Sequence, residues 1–80
     1  MKLYALDLEL RGMVLRTSKN GGQYLLLNME DENGSSVQLV SKNLSLTSSG
    51  YKKGDHVQAT CLYDARYKNL TVIDLEPAKR

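Results

Sequence analysis

Gln23-Tyr24-Leu25-Leu26-Leu27-Asn28-Met29-Glu30-Asp31, then Glu32-Asn33-Gly34, then Ser35-Ser36-Val37-Gln38-Leu39-Val40-Ser41 reads as two antiparallel strands joined by a tight turn. Leu25, Leu27 and Met29 fall on one face of the first strand, and Tyr24, Leu26 and Asn28 on the other. A two-residue Asn33-Gly34 turn would set Met29 opposite Gln38 and Asn28 opposite Leu39, mixing the faces. A three-residue loop, Glu32-Asn33-Gly34 with Gly34 left-handed, sets Met29 opposite Val37 and Leu27 opposite Leu39. A slip of one residue would turn the whole apolar set towards water, so the second register is expected. The opposite face then carries Tyr24 beside Lys42, Leu26 beside Val40 and Asn28 beside Gln38. It is half apolar, with an aromatic and a cation at one end, and a ligand or a second subunit should cover it.

Upstream, Leu3 to Thr17 has the pattern of one long strand. Leu6, Leu8 and Leu10 alternate with Asp7, Glu9 and Arg11, and after Gly12 the apolar phase moves to Met13 and Leu15. A one-residue phase change at a glycine predicts a bulge where one strand serves two sheets. Thr17 to Gly22 is a polar hairpin loop. Downstream, the serine-rich stretch from Lys42 to Asp55 predicts an excursion with at most one helical turn. His56 to Tyr63 alternates again, Asp64 to Asn69 forms a loop, and Leu70 to Leu75 makes a last strand ended by Pro77. Five strands with hairpin connections predict an all-β, nearly or fully closed Greek-key barrel with little or no helix.

Eighty residues allow one domain, 1–80, with a short basic tail from about 77 to 80. The net charge of +2 is too mild to argue for nucleic acid alone, so the placement of the charges must carry that argument. The single cysteine, Cys61, sits in an apolar run and is expected to be a buried, reduced thiol. No apolar stretch approaches the roughly 20 residues of a membrane span, and the acids near the N-terminus argue against a signal peptide. A cytoplasmic protein without membrane contact is the expectation.

The layout resembles the oligonucleotide/oligosaccharide-binding (OB) fold. The features that carry the resemblance are the long first strand bent at Gly12, the Ser18-Lys19-Asn20-Gly21-Gly22-Gln23-Tyr24 lead-in to strand two, and the Glu30-Asp31-Glu32-Asn33-Gly34 turn. To these are added Lys52-Lys53-Gly54-Asp55-His56-Val57 before strand four and the closing strand Leu70 to Pro77. In size the chain is similar to the gene V-type helix-destabilising proteins of filamentous phages, which are OB-fold dimers. It lacks the aromatic ribonucleoprotein motifs of cold-shock domains, having no Phe or Trp, and recruitment of partners through an acidic tail like that of cellular single-strand-binding proteins is not expected.

Single-stranded nucleic acid needs cations that track phosphates and flat side chains that accept stacked bases. Arg16 and Lys19 flank the first loop, Lys42 leaves strand three, and Arg66 and Lys68 lie in the last hairpin. Tyr24 and Tyr67 are the stacking candidates, and Leu26 adds apolar surface between the two loops. Tyr24 could equally be packing at a barrel rim, and Arg66-Tyr67-Lys68 a solvated hairpin tip. Tyr51 is expected to cap the barrel end, with Tyr4 and Tyr63 left to packing or a subunit contact. Asp7, Glu9, Glu30, Asp31 and Glu32 belong to a strand edge and a turn, away from the cations.

One histidine, His56 beside Asp55, has no nucleophile to serve, and one Cys with one His makes no tetrahedral metal set. The residues predict a non-catalytic, largely sequence-independent single-stranded DNA-binding protein, and the resemblance implies one of a phage or mobile element. It is expected to be a homodimer with no cofactor or metal, acting in the cytoplasm of the bacterial host. A small β-barrel assembly subunit is the alternative, and RNA in place of DNA is a third reading that stacking cannot separate.

Overall fold

The computed structural model describes residues 2–66 and 68–78. Five strands follow in chain order: β1 (Leu3–Thr17), β2 (Gln23–Glu30), β3 (Ser36–Ser41), β4 (His56–Asp64) and β5 (Asn69–Pro77). They close into a barrel in the order β1-β2-β3-β5-β4, the all-β Greek-key architecture of an OB fold.

The β2–β3 hairpin takes the register that its apolar alternation dictates. Leu27 faces Leu39, Met29 faces Val37, Leu26 faces Val40 and Asn28 faces Gln38. The Asp31 amide donates to the Ser35 carbonyl at 3.0 Å, and Gly34 is left-handed at φ 80°. Asp31 shapes the turn as well, because its Oδ1 accepts the amides of Asn33 and Ser35, both at 2.9 Å.

In β1, Leu10 faces Met29 but Gly12 faces Asn28, so Arg11 is the extra residue of a bulge. The bulge reverses which side chains point inward: Leu8 and Leu10 before it, Met13 after it. The first half of β1 pairs with β4, from Leu3–Leu62 to Glu9–His56, and the second half with β2. Leu15 departs from the apolar phase predicted for it, being 52% exposed although it faces the buried Leu25. Beyond Leu10, whose backbone is bonded to Gly54 and Asp55, β1 pairs with β2 alone, so Leu15 stands on a strand edge. Sequence periodicity reports which face a residue takes but not where its neighbouring strand stops.

The interior is filled by Leu10, Leu25, Leu27, Met29, Val57, Val72 and Cys61, each essentially inaccessible. Burial pushes the Cys61 thiol up from its ordinary value, which keeps it protonated. Tyr51 caps one end of the core and donates its hydroxyl to the Leu75 carbonyl at 3.3 Å. The serine-rich excursion contains one 3-10 turn, Leu44–Ser48, whose Asn43 cap accepts the Ser45 amide and whose Leu46 is buried in the core.

Closure between β3 and β5 is thin: one parallel pair, Val40–Thr71. Two side chains reinforce it. The buried Ser41 hydroxyl donates to the Val72 carbonyl at 2.5 Å and accepts the Asn43 amide at 3.1 Å, while Asn43 Nδ2 donates to the Ile73 carbonyl at 3.3 Å. Ile73 is itself the extra residue of a bulge in β5, since Cys61 faces Val72 and Thr60 faces Asp74.

Candidate nucleic-acid interface

The outer face of β1, β2 and β3 is built in rows, because every second residue of each strand points outward. At one end Arg16 pairs with Tyr24. Lys42 stands one residue past the final β2–β3 pair, Leu25–Ser41, level with Tyr24. The middle row is Val14, Leu26 and Val40, continued to Thr71 of β5. The third is Gly12, Asn28 and Gln38, in which Gln38 Nε2 donates to Asn28 Oδ1 at 2.9 Å. Rows two residues apart lie roughly 7 Å from one another along the strands. The face therefore passes from cation and aromatic, through aliphatic, to amide.

Tyr24 and Leu26 are half-buried, whereas Leu25 and Leu27, which alternate with them, are sealed inside. Tyr24 thus points out of the barrel. In the strand register it stands level with Arg16 and Lys42, both exposed. Val14, 39% exposed and opposite Leu26, belongs to the same surface.

Two loops flank this face. The β1–β2 loop is closed by the Ser18 amide on the Gly22 carbonyl at 2.7 Å and exposes Lys19 beside the left-handed Gly21. In the β4–β5 hairpin, β5 begins two residues before Thr71, which pairs with Val40 of the middle row. On it Arg66 is exposed, with its amide on Asp64 Oδ1 at 2.9 Å and its Nε 3.9 Å from the same oxygen. Lys68 is exposed and left-handed at φ 52°, a conformation that costs a non-glycine residue about 1–2 kcal/mol. Tyr67, the second stacking candidate, lies outside the described residues. The register thus brings Arg16, Tyr24, Leu26 and Lys42 onto one surface, with Lys19 on one bordering loop and Arg66 and Lys68 on the other.

Acids gather elsewhere. Asp7, Glu9, Asp31 and Glu32 line a cavity with His56 and Ala78, and Glu30 lies between that cavity and the amide row. Arg11 is committed here: its guanidinium donates to Glu9 at 2.8 Å and lies 3.9 Å from Glu30. The hydrogen bond to Glu9, with the charge of Glu30 adding to it, pushes the Arg11 pKa up. His56 is 3.8 Å from Glu9, while the Asp55 carboxylate accepts the Lys52 amide, so Asp55 closes a turn and does not orient the imidazole.

No family model matches this chain, and no curated protein matches it. Solved structures do. Two crystal forms of the mitochondrial single-stranded DNA-binding protein Rim1 from S. cerevisiae superpose over nearly the whole barrel. The first has a TM-score of 0.69 at 15% identity, covering 98% of this chain and 96% of that one. The second has a TM-score of 0.67 at 17% identity, covering 98% and 94%. The fold is shared. At such low identity the likeness shows the fold alone.

Proposed function

We propose that this protein binds single-stranded DNA, without catalysis and largely without regard to sequence, along the outer face of β1–β3. The observation that carries the reading is Tyr24, turned out of the barrel and level with Arg16 and Lys42. A base stacked on that ring leaves its phosphates within the field of cations on both flanking strands. The shared fold with Rim1, a mitochondrial single-stranded DNA-binding protein, supports the choice of ligand. Coating of strands exposed during replication or transfer of a phage or plasmid, in the cytoplasm of its host, is the setting that suits so small a barrel.

The test is a titration of fluorescent oligo-dT, its RNA counterpart and duplex DNA. Tyr24→Ala is expected to weaken oligo-dT binding by about 5- to 150-fold, the equivalent of one lost stacking contact of roughly 1–3 kcal/mol. At high salt it should lose more affinity than Lys42→Ala, because stacking is not screened. Unchanged binding by Tyr24→Ala would remove the surface from consideration. Absence of binding to every oligonucleotide at low salt would favour an assembly subunit.

The second element of the proposal is a homodimer. Val14 and the 52% exposed Leu15 lie on the part of β1 that has no strand on its outer side, an edge that water-soluble folds normally blunt or cover. Pairing two such edges would join two binding faces and raise the effective concentration at the second. Light scattering should give twice the chain mass for the wild type and a monomer for Leu15→Lys; a wild-type monomer at high concentration would refute the dimer.

A further inference from the structure

Resting on that reading, we infer that the amide row is a base-selecting subsite, which takes a nucleobase carrying an exocyclic amine in preference to thymine or uracil. Asn28 and Gln38 face each other across β2 and β3 and are joined by one hydrogen bond of 2.9 Å. That bond uses one N–H of Gln38 and one lone pair of Asn28. Both N–H groups of Asn28, the second N–H of Gln38 and the Gln38 carbonyl oxygen have no other side-chain partner among the described residues. Donor and acceptor therefore stand side by side, held by a mutual bond on two rigid strands, and an interchange of amide O and N leaves the same combination.

The pair lines an open cleft of about 610 Å³ together with Arg11, Glu30 and Ser36. Gly12, opposite Asn28, has no side chain, and a Cβ placed there would meet nothing within 4 Å, so the approach over the row is clear. The charges of the cleft point to a base and not to phosphate. Arg11 is engaged by Glu9 and Glu30, and the Glu30 carboxylate repels an anion while accepting from an N–H. Cytosine and adenine each present a ring-nitrogen acceptor beside an amine with two hydrogens. The amide pair satisfies the acceptor and one amine hydrogen, and Glu30 takes the second. Thymine offers carbonyl oxygen where the amine would be, directed at a carboxylate. The subsite lies one row from Leu26 and Val40, so a strand stacked on Tyr24 can extend to it along the same face.

Cytosine and thymine are matched in ring size, so oligo-dC and oligo-dT isolate the effect from stacking. The wild type should bind oligo-dC about fivefold more tightly than oligo-dT, the lower end of what a bidentate base contact discriminates. The double variant Asn28→Ala/Gln38→Ala removes both partners of the surface bond and so leaves neither amide unmatched. It should bring the two affinities together while its melting temperature stays near wild type. Glu30→Gln should cut the preference partway, because an amide is a weaker acceptor. Equal wild-type affinities, or a preference that survives the double variant, would overturn the subsite and leave DNA binding standing. Failure to bind either oligonucleotide would overturn both.

Discussion

Raising salt from 50 to 200 mM should weaken oligo-dT binding by roughly 100-fold. Five cations border the proposed surface: Arg16, Lys19, Lys42, Arg66 and Lys68, all exposed. If each neutralises one phosphate, a single strand contributes about −0.7 per contact, giving a slope of about −3.5 in log K against log salt. The chain as a whole is only +2, so non-specific attraction to a polyanion would give a much shallower line. The effect arises because the acids stand apart: Asp7, Glu9, Asp31 and Glu32 surround the cavity beside His56, and none occupies the Arg16–Tyr24 row. Charge placement, not net charge, sets the slope. A fluorescence titration at four salt concentrations measures it. A slope near −1 would mean that stacking alone holds the strand, and the cations of the two loops would then be solvated bystanders. Removing Lys19 and Lys68 together should flatten the slope by about 1.4 without altering the value extrapolated to high salt.

Much of this geometry was legible before any coordinates. The β2–β3 register follows from parity alone, because each wrong alignment exposes three leucine-sized side chains, and Gly34 supplies the one left-handed residue that the loop needs. The bulge at Arg11–Gly12 follows from a change of phase. What the pattern could not supply were features that depend on two distant segments at once. Leu15 reads as an inward residue and is exposed because β4 ends its pairing at Glu9. Ile73 breaks the alternation of β5, and adjacent Val72 and Ile73 were the available signal for its bulge. At the site, Tyr24, Leu26, Arg16 and Lys42 could be placed on one face from sequence because they lie on consecutive strands. Asn28 and Gln38 were also put side by side by the register, but their amides gave no chemical signal until the hydrogen bond and the cleft around it were seen. Whether the β4–β5 loop borders that face depends on the parallel pairing of Val40 with Thr71, a contact between residues 31 positions apart that no local pattern encodes.

That same seam leads to the largest expected loss of stability. Ser41→Ala should lower the unfolding free energy by about 2–4 kcal/mol, because it strips the buried Val72 carbonyl and the half-buried Asn43 amide of a shared partner at once. Ser41 is wholly inaccessible; its hydroxyl donates to the Val72 carbonyl and accepts the Asn43 amide. Alanine leaves the buried Val72 carbonyl without water to replace the lost bond, and β3 and β5 share one ladder pair to hold the barrel shut meanwhile. In a domain of this size each kcal/mol shifts the midpoint by about 4–8 °C, so thermal unfolding followed by circular dichroism should move down by roughly 10–30 °C. Ser36→Ala, an exposed serine at the other end of the same strand, should not move it. Ser41→Cys should fall between, since a thiol is a weak donor and acceptor. The loss should also reach the binding face before the barrel melts. Val40 and Lys42 flank Ser41, so a seam that opens locally displaces the middle row and the Lys42 charge together. Oligo-dT affinity of Ser41→Ala should therefore decline at temperatures where its far-ultraviolet spectrum is still native. An unaltered midpoint would mean that the Val40–Thr71 pair and the Asn43–Ile73 bond are enough to close the barrel.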